Sequence, residues 1–109
     1  MKKITPDELR NAENDTGLSL EEIARRLENG VDIQYGDLMM RVEARQLEHV
    51  REYVAHLDAD ARRRSMLSVT SCLARSVPKV LKGHASKKTN DATFADMLLW
   101  QALKEVAAS

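Results

Sequence analysis

Arg64, Ser68, Ser71, Arg75, Lys79 and Lys82 succeed one another at intervals of four, three, four, four and three. That spacing follows the 3.6-residue helical turn, so it puts four cations and two hydroxyls on one face of a helix. Such a row of donors suits a polyanion, because phosphate oxygens are held by several Arg, Lys and Ser groups spread along a line. The row belongs to a longer acid-free block. Residues 61–90 hold Arg62, Arg63, Arg64, Arg75, Lys79, Lys82, Lys87 and Lys88, with no Asp or Glu among them. These eight residues are the candidate nucleic-acid-binding set. Residues 1–60 hold fourteen acids against eight bases, so a formal net charge of zero hides strong segregation. A merely solvated helix would interleave Glu with Lys and Arg.

Other chemistries find little footing. His49 and His56 are two helical turns apart, about 10 Å, too far to share one metal ion. His84 and the single Cys72 have no partner at ligand spacing. No Gly-rich phosphate loop is present, and acid pairs such as Glu21 and Glu22 suit a helix start better than acid–base work. No catalytic constellation, cofactor site or metal site is expected, and the chain does not read as an enzyme. Aromatic residues do not interleave with the basic row, which disfavours stacking on single-stranded bases. The partner expected is nucleic acid, DNA ahead of RNA, or else an oppositely charged protein.

The elements that must carry this row read as helices. With 109 residues, 43% hydrophobic, and four aromatics, the core must come from Leu, Val, Ile, Met and Ala. One helical domain over residues 1–109 is expected: a compact all-α bundle of four to six helices, with homodimerisation open. No apolar run approaches the ~18 residues of a membrane span and no signal-type core follows Met1, so a cytoplasmic protein without a membrane partner is expected. One unpaired cysteine fits a reducing compartment.

Two helix starts are explicit. Thr5, Pro6 and Glu8 form one capping pattern, stapled by Ile4 and Leu9, and that helix ends near Asn14. Ser19 and Glu22 form another, stapled by Leu18 and Ile23, burying Leu20, Ile23, Ala24 and Leu27 and ending at Asn29-Gly30. Residues 31–36 read as a short helical turn or a loop. Leu38 to Leu57 reads as the longest helix, with Met39, Val42, Gln46, Val50, Tyr53 and Leu57 inward and Leu47 and Val54 at the border of that face. Asp58 or Asp60 caps a third segment, with Met66, Leu67, Val69, Thr70, Leu73, Ala74, Val77 and Leu81 inward and a kink or end near Ser76, ahead of Pro78. Gly83 to Lys88 reads as a loop. Asn90 or Thr93 caps the last helix, whose inner face holds Phe94, Met97, Leu98, Ala102 and Val106. Leu47, Val50, Leu73, Leu98 and Trp100 are expected in the core or at a dimer interface.

Thr5 to Arg10 followed by Gly17 to Leu27 resembles the first two helices of phage-repressor-type, Cro-like helix-turn-helix domains. The resemblance covers residues 5–27 alone. It implies a helical architecture and a regulatory role. Glu28-Asn29-Gly30-Val31-Asp32 does not continue into a basic recognition helix, so no base-reading residue is implied. The function expected is a small regulatory or accessory nucleic-acid binder that contacts phosphates. The competing expectation is a helical interaction module, an adaptor or a small inhibitor, that uses its segregated charge.

Overall fold

A computed structural model of the chain describes residues 19–108. The helix expected at Thr5 and the repressor resemblance before Ser19 lie outside these residues. The described chain is mostly helical, but it is not all-α. Its elements are α1 (Leu20–Glu28), β1 (Val31–Tyr35), β2 (Leu38–Val42), α2 (Ala44–Ala55), α3 (Ala59–Leu81) and α4 (Lys87–Ala108). They divide into two units, the first ending at Ala44 and the second beginning at Arg45.

In the first unit α1 starts where its capping box predicts. The Ser19 hydroxyl accepts the amide of Glu22 at 3.1 Å, and Asn29 closes the helix. Ile23 is buried and Leu20 and Leu27 half-buried, while Ala24 is exposed. Residues 31–42 are neither loop nor the start of a long helix: they form an antiparallel hairpin. Val31, Ile33 and Tyr35 pair with Val42, Met40 and Leu38, so one face is wholly apolar. Asp32–Arg41 and Gln34–Met39 occupy the other. Ile33, Leu38, Met40 and Val42 are buried, as period-two patterning requires. The two-residue turn is Gly36-Asp37. Gly36 takes φ 58° and Asp37 keeps φ negative, the pattern of a type II′ turn with Gly first. Arg41 ties the hairpin to the helix before it. Its Nε donates to the carbonyl of Leu27 at 2.6 Å, its Nη2 to that of Glu28 at 3.0 Å, and its Nη1 to Asp32 at 3.1 Å. A cation thereby satisfies the last carbonyls of α1.

The second unit comprises α2, α3 and α4. Because α2 begins at Ala44, the expected Leu38–Leu57 helix is shortened and its inner face rotated. Leu47 and Val54 are its buried pair, Val50 is half-buried, and Tyr53 is 57% exposed. The longest helices are instead α3 and α4, of 23 and 22 residues, which pack against each other. Asp58 caps α3 by accepting the amide of Ala61 at 2.7 Å. Its buried stripe is Val69, Leu73, Val77 and Val80. Leu67, Ala74 and Leu81, expected inside, lie exposed.

Pro78 does not stop α3, which runs on to Leu81. The proline leaves the carbonyl of Ala74 without its helical donor, but both residues are exposed, so water can fill that role. The helix then closes on a left-handed Gly83 (φ 73°). The amide of His84 reaches the carbonyl of Lys79 at 2.9 Å and that of Gly83 reaches Val80 at 3.1 Å. This is a Schellman arrangement.

The expected loop to Lys88 is therefore shorter. Ser86, not Asn90 or Thr93, caps α4: its hydroxyl accepts the amide of Thr89 at 3.2 Å. Thr93, Met97, Leu98, Ala102 and Leu103 form the buried face of α4, with Phe94, Trp100 and Val106 half-buried. Thr93 returns its hydroxyl to the carbonyl of Thr89 at 2.7 Å, which makes its full burial tolerable. Arg51 joins α2 to α4 through a two-pronged contact with Glu105, at 2.7 and 2.8 Å.

Candidate nucleic-acid interface

The basic row sits on α3 because the helix continues unbroken from its Asp58 cap past Pro78. Val69, Leu73, Val77 and Val80 fix the inner side, so residues half a turn away face solvent. Arg64, Ser68, Ser71, Arg75, Lys79 and Lys82 are all exposed. At 100° per residue they fall within an arc of about 80°, and Arg64 to Lys82 spans about 27 Å of helix. A duplex presents roughly eight base pairs over that length.

The eight candidate residues differ in what already occupies them. Arg62 is turned inward and is half-buried. Its Nε donates to the carbonyl of Val54 at 3.1 Å and its Nη2 to that of Ala55 at 3.1 Å, so it closes the C-terminal end of α2. Arg63 and Arg64 both pair with Asp60, the latter from Nε at 3.6 Å. These are exposed ion pairs one helical turn apart, worth a few tenths of a kcal/mol, and a phosphate can replace the carboxylate. Arg75 only grazes Cys72, with Nη2 at 3.8 Å from the sulfur. Lys79, Lys82 and Lys88 form no ion pair among the described residues.

Lys87 and Lys88 are not in a loop. They are exposed in the first turn of α4, which contains no acid. Cations there oppose the helix dipole, whose N-terminal end is itself positive. The connection Lys82–Ser86 brings the end of α3 and the start of α4 together, so Lys79, Lys82, Lys87 and Lys88 concentrate positive charge at one end of the helix pair.

In the sequence Arg62 is indistinguishable from Arg63 and Arg64, because the three arginines are consecutive. Its diversion becomes visible only once α2 is known to end at Ala55, which leaves two carbonyls for Arg62 to cap. Arg41 carries no such signal in the sequence, since its contacts to Leu27 and Glu28 depend on a hairpin whose residues also fit a helical period.

Among the described residues no three of His, Cys, Asp and Glu gather in a way that could hold a metal ion. None of the described helices is long and apolar enough to cross a membrane. No family model, curated protein or solved structure matches the chain.

Proposed function

We propose that this chain is a small regulatory or accessory protein that binds nucleic acid through its phosphate backbone, duplex DNA ahead of RNA. The contact surface is the outer face of α3, with Arg64, Arg75, Lys79 and Lys82 as its axis. Arg63 lies at one end and Lys87 and Lys88 at the other. The observation that carries this reading is the state of Arg75, Lys79 and Lys82. Three cations stand exposed on one helix face, and no carboxylate pairs with them among the described residues. Keeping like charges together costs self-repulsion, and an anionic partner relieves it.

The role is binding rather than catalysis. With no aromatic residue in the row, bases are not stacked and recognition follows the backbone. Two unrelated duplexes of about 20 base pairs, tested by fluorescence anisotropy at about 50 mM salt, should bind with affinities within roughly threefold of each other. Absence of binding to either would remove the proposal. A preference of a thousandfold or more would put base readout in place of backbone contact.

A further inference from the structure

α3 carries a second exposed face beside the basic row. Leu67, Ser71, Ala74, Pro78 and Leu81 follow at intervals of four, three, four and three, the repeat of a seam between two helices. All five are exposed, Leu67 at 67% and Leu81 at 37%. A lone exposed leucine is ordinary, but apolar and small residues kept in register along about 21 Å of one helix are less so. The two leucines stand at the ends of the strip. Ser71 and Ala74 between them leave room for a second backbone to come close.

Charge selects the occupant. Arg64, Arg75, Lys79 and Lys82 line one border of the strip, Arg63 lies on the other, and Asp60 in the first turn is the sole acid of α3. A second copy laid antiparallel about Ala74 would set Arg75 close to its own counterpart, with the basic borders on the same side, and like charges would oppose it. A lipid surface would draw on Trp or Phe, and α3 has neither. A helix with Glu and Asp beside its apolar positions meets apolar groups and cations together.

We infer that this strip is a docking seam for an acidic amphipathic helix of a partner protein. Its apolar residues seat on Leu67 and Leu81, and its carboxylates lie along Arg64, Arg75, Lys79 and Lys82. Such a helix covers the cations a nucleic acid would use, so the two exclude each other. That exclusion rests on the function proposed above; the docking does not.

The test uses the full chain and two synthetic peptides of about three heptads. Both carry leucine at seam spacing, one with glutamate at the flanking positions and the other with lysine. The acidic peptide should bind at least about tenfold more tightly than the basic one. The paired change Leu67→Ser and Leu81→Ser should weaken it by about tenfold or more, with the helical circular dichroism and the duplex affinity unchanged. In the unaltered chain the acidic peptide should displace duplex DNA. Equal binding of the two peptides, or indifference to the paired change, overturns the inference. So does a dimer in sedimentation that the paired change dissolves, which would give the strip to a second copy. Adsorption to anionic vesicles that the same change abolishes would give it to a membrane. Duplex binding without peptide docking removes this inference alone. Peptide docking without duplex binding removes the nucleic-acid reading alone.

Discussion

Arg62 donates from Nε to the carbonyl of Val54 at 3.1 Å, eight residues behind it in the chain. With the second contact to Ala55, one guanidinium closes α2 while sitting in the first turn of α3. Arg41 does the same for α1 from β2. In each unit, then, an arginine from a later element donates to the last two carbonyls of a helix, adding to the amides of Leu57 and Gly30 that already reach Val54 and Leu27. The arginine cluster at residues 62–64 thus splits into a structural member and two that face outward.

Replacing Arg62 with Ala should destabilise the chain by about 1–2 kcal/mol in urea melts, the scale of charged hydrogen bonds at a half-buried site. The salt dependence of duplex binding should stay the same. An unchanged midpoint together with a slope reduced by about one would put Arg62 among the phosphate contacts instead.

Leu73 and Leu67 lie six residues apart, about 120° around α3, the first buried and the second exposed. Leu73→Ala opens a cavity at a site with no exposure and should cost about 2–5 kcal/mol. Leu67→Ala should change stability by less than about 0.5 kcal/mol. Equal costs in the same melts would mean that the inner face of α3 is wrongly assigned.

Gly30 marks the passage from α1 into the hairpin. A Cβ there would stand 2.5 Å from the carbonyl oxygen of Val42 and 3.0 Å from that of Leu27. Both are backbone atoms, and neither can rotate away. Gly30→Ala should therefore destabilise by about 1–3 kcal/mol. A variant as stable as the parent in urea would exclude this close approach.

The Ser19 helix was legible in the sequence because a capping box is a local signal, and local hydrogen bonds suffice to form it. The hairpin was not, although its pattern is present: Val31, Ile33 and Tyr35 alternate toward Gly36-Asp37, and Leu38, Met40 and Val42 alternate away. Met39, Val42 and Gln46 also fit a helical period, and Leu and Met are good helix formers, so a short apolar run satisfied both templates. A helix begun six residues too early sets its inner face on Tyr53 and leaves Leu47 and Val54 at the border, whereas Leu47 and Val54 are the buried pair and Tyr53 is exposed. The outer row of α3 was legible because charged residues mark the solvent side unambiguously. Leu67, Ala74 and Leu81 were misplaced because the apolar arc of α3 is wider than the part its packing covers. Where that coverage stops depends on α2 and α4, which the local sequence does not encode.

Two carboxyl groups should give stability opposite pH dependences. The Arg51 guanidinium beside Glu105 holds that carboxyl below its ordinary range, Gln101 adds to the effect, and partial burial opposes it. This contribution is present above the ordinary carboxylate range and fades as pH falls through the depressed folded value. Glu105→Gln should flatten that acid-side loss in thermal melts. Burial pushes Asp96 up, so its contribution is present at acid pH and disappears as pH rises through the raised value. Asp96→Asn should thus stabilise near pH 7, with an advantage that shrinks toward about pH 4. The opposite trend in either variant would contradict the assigned cause.

Salt dependence of duplex binding tests the central claim most directly. Arg64, Arg75, Lys79 and Lys82, with Arg63, Lys87 and Lys88 in reach, should neutralise about four to six phosphates. Counterion release then gives a slope near −0.9 per contact in log K against log salt. Affinity should fall roughly 10²–10³-fold between about 50 and 200 mM. Replacing Arg75 and Lys79 together with Ala should reduce the slope by about two and leave the urea midpoint in place, since both side chains face solvent. A flat salt response, or a slope that the double replacement leaves unchanged, would contradict the account.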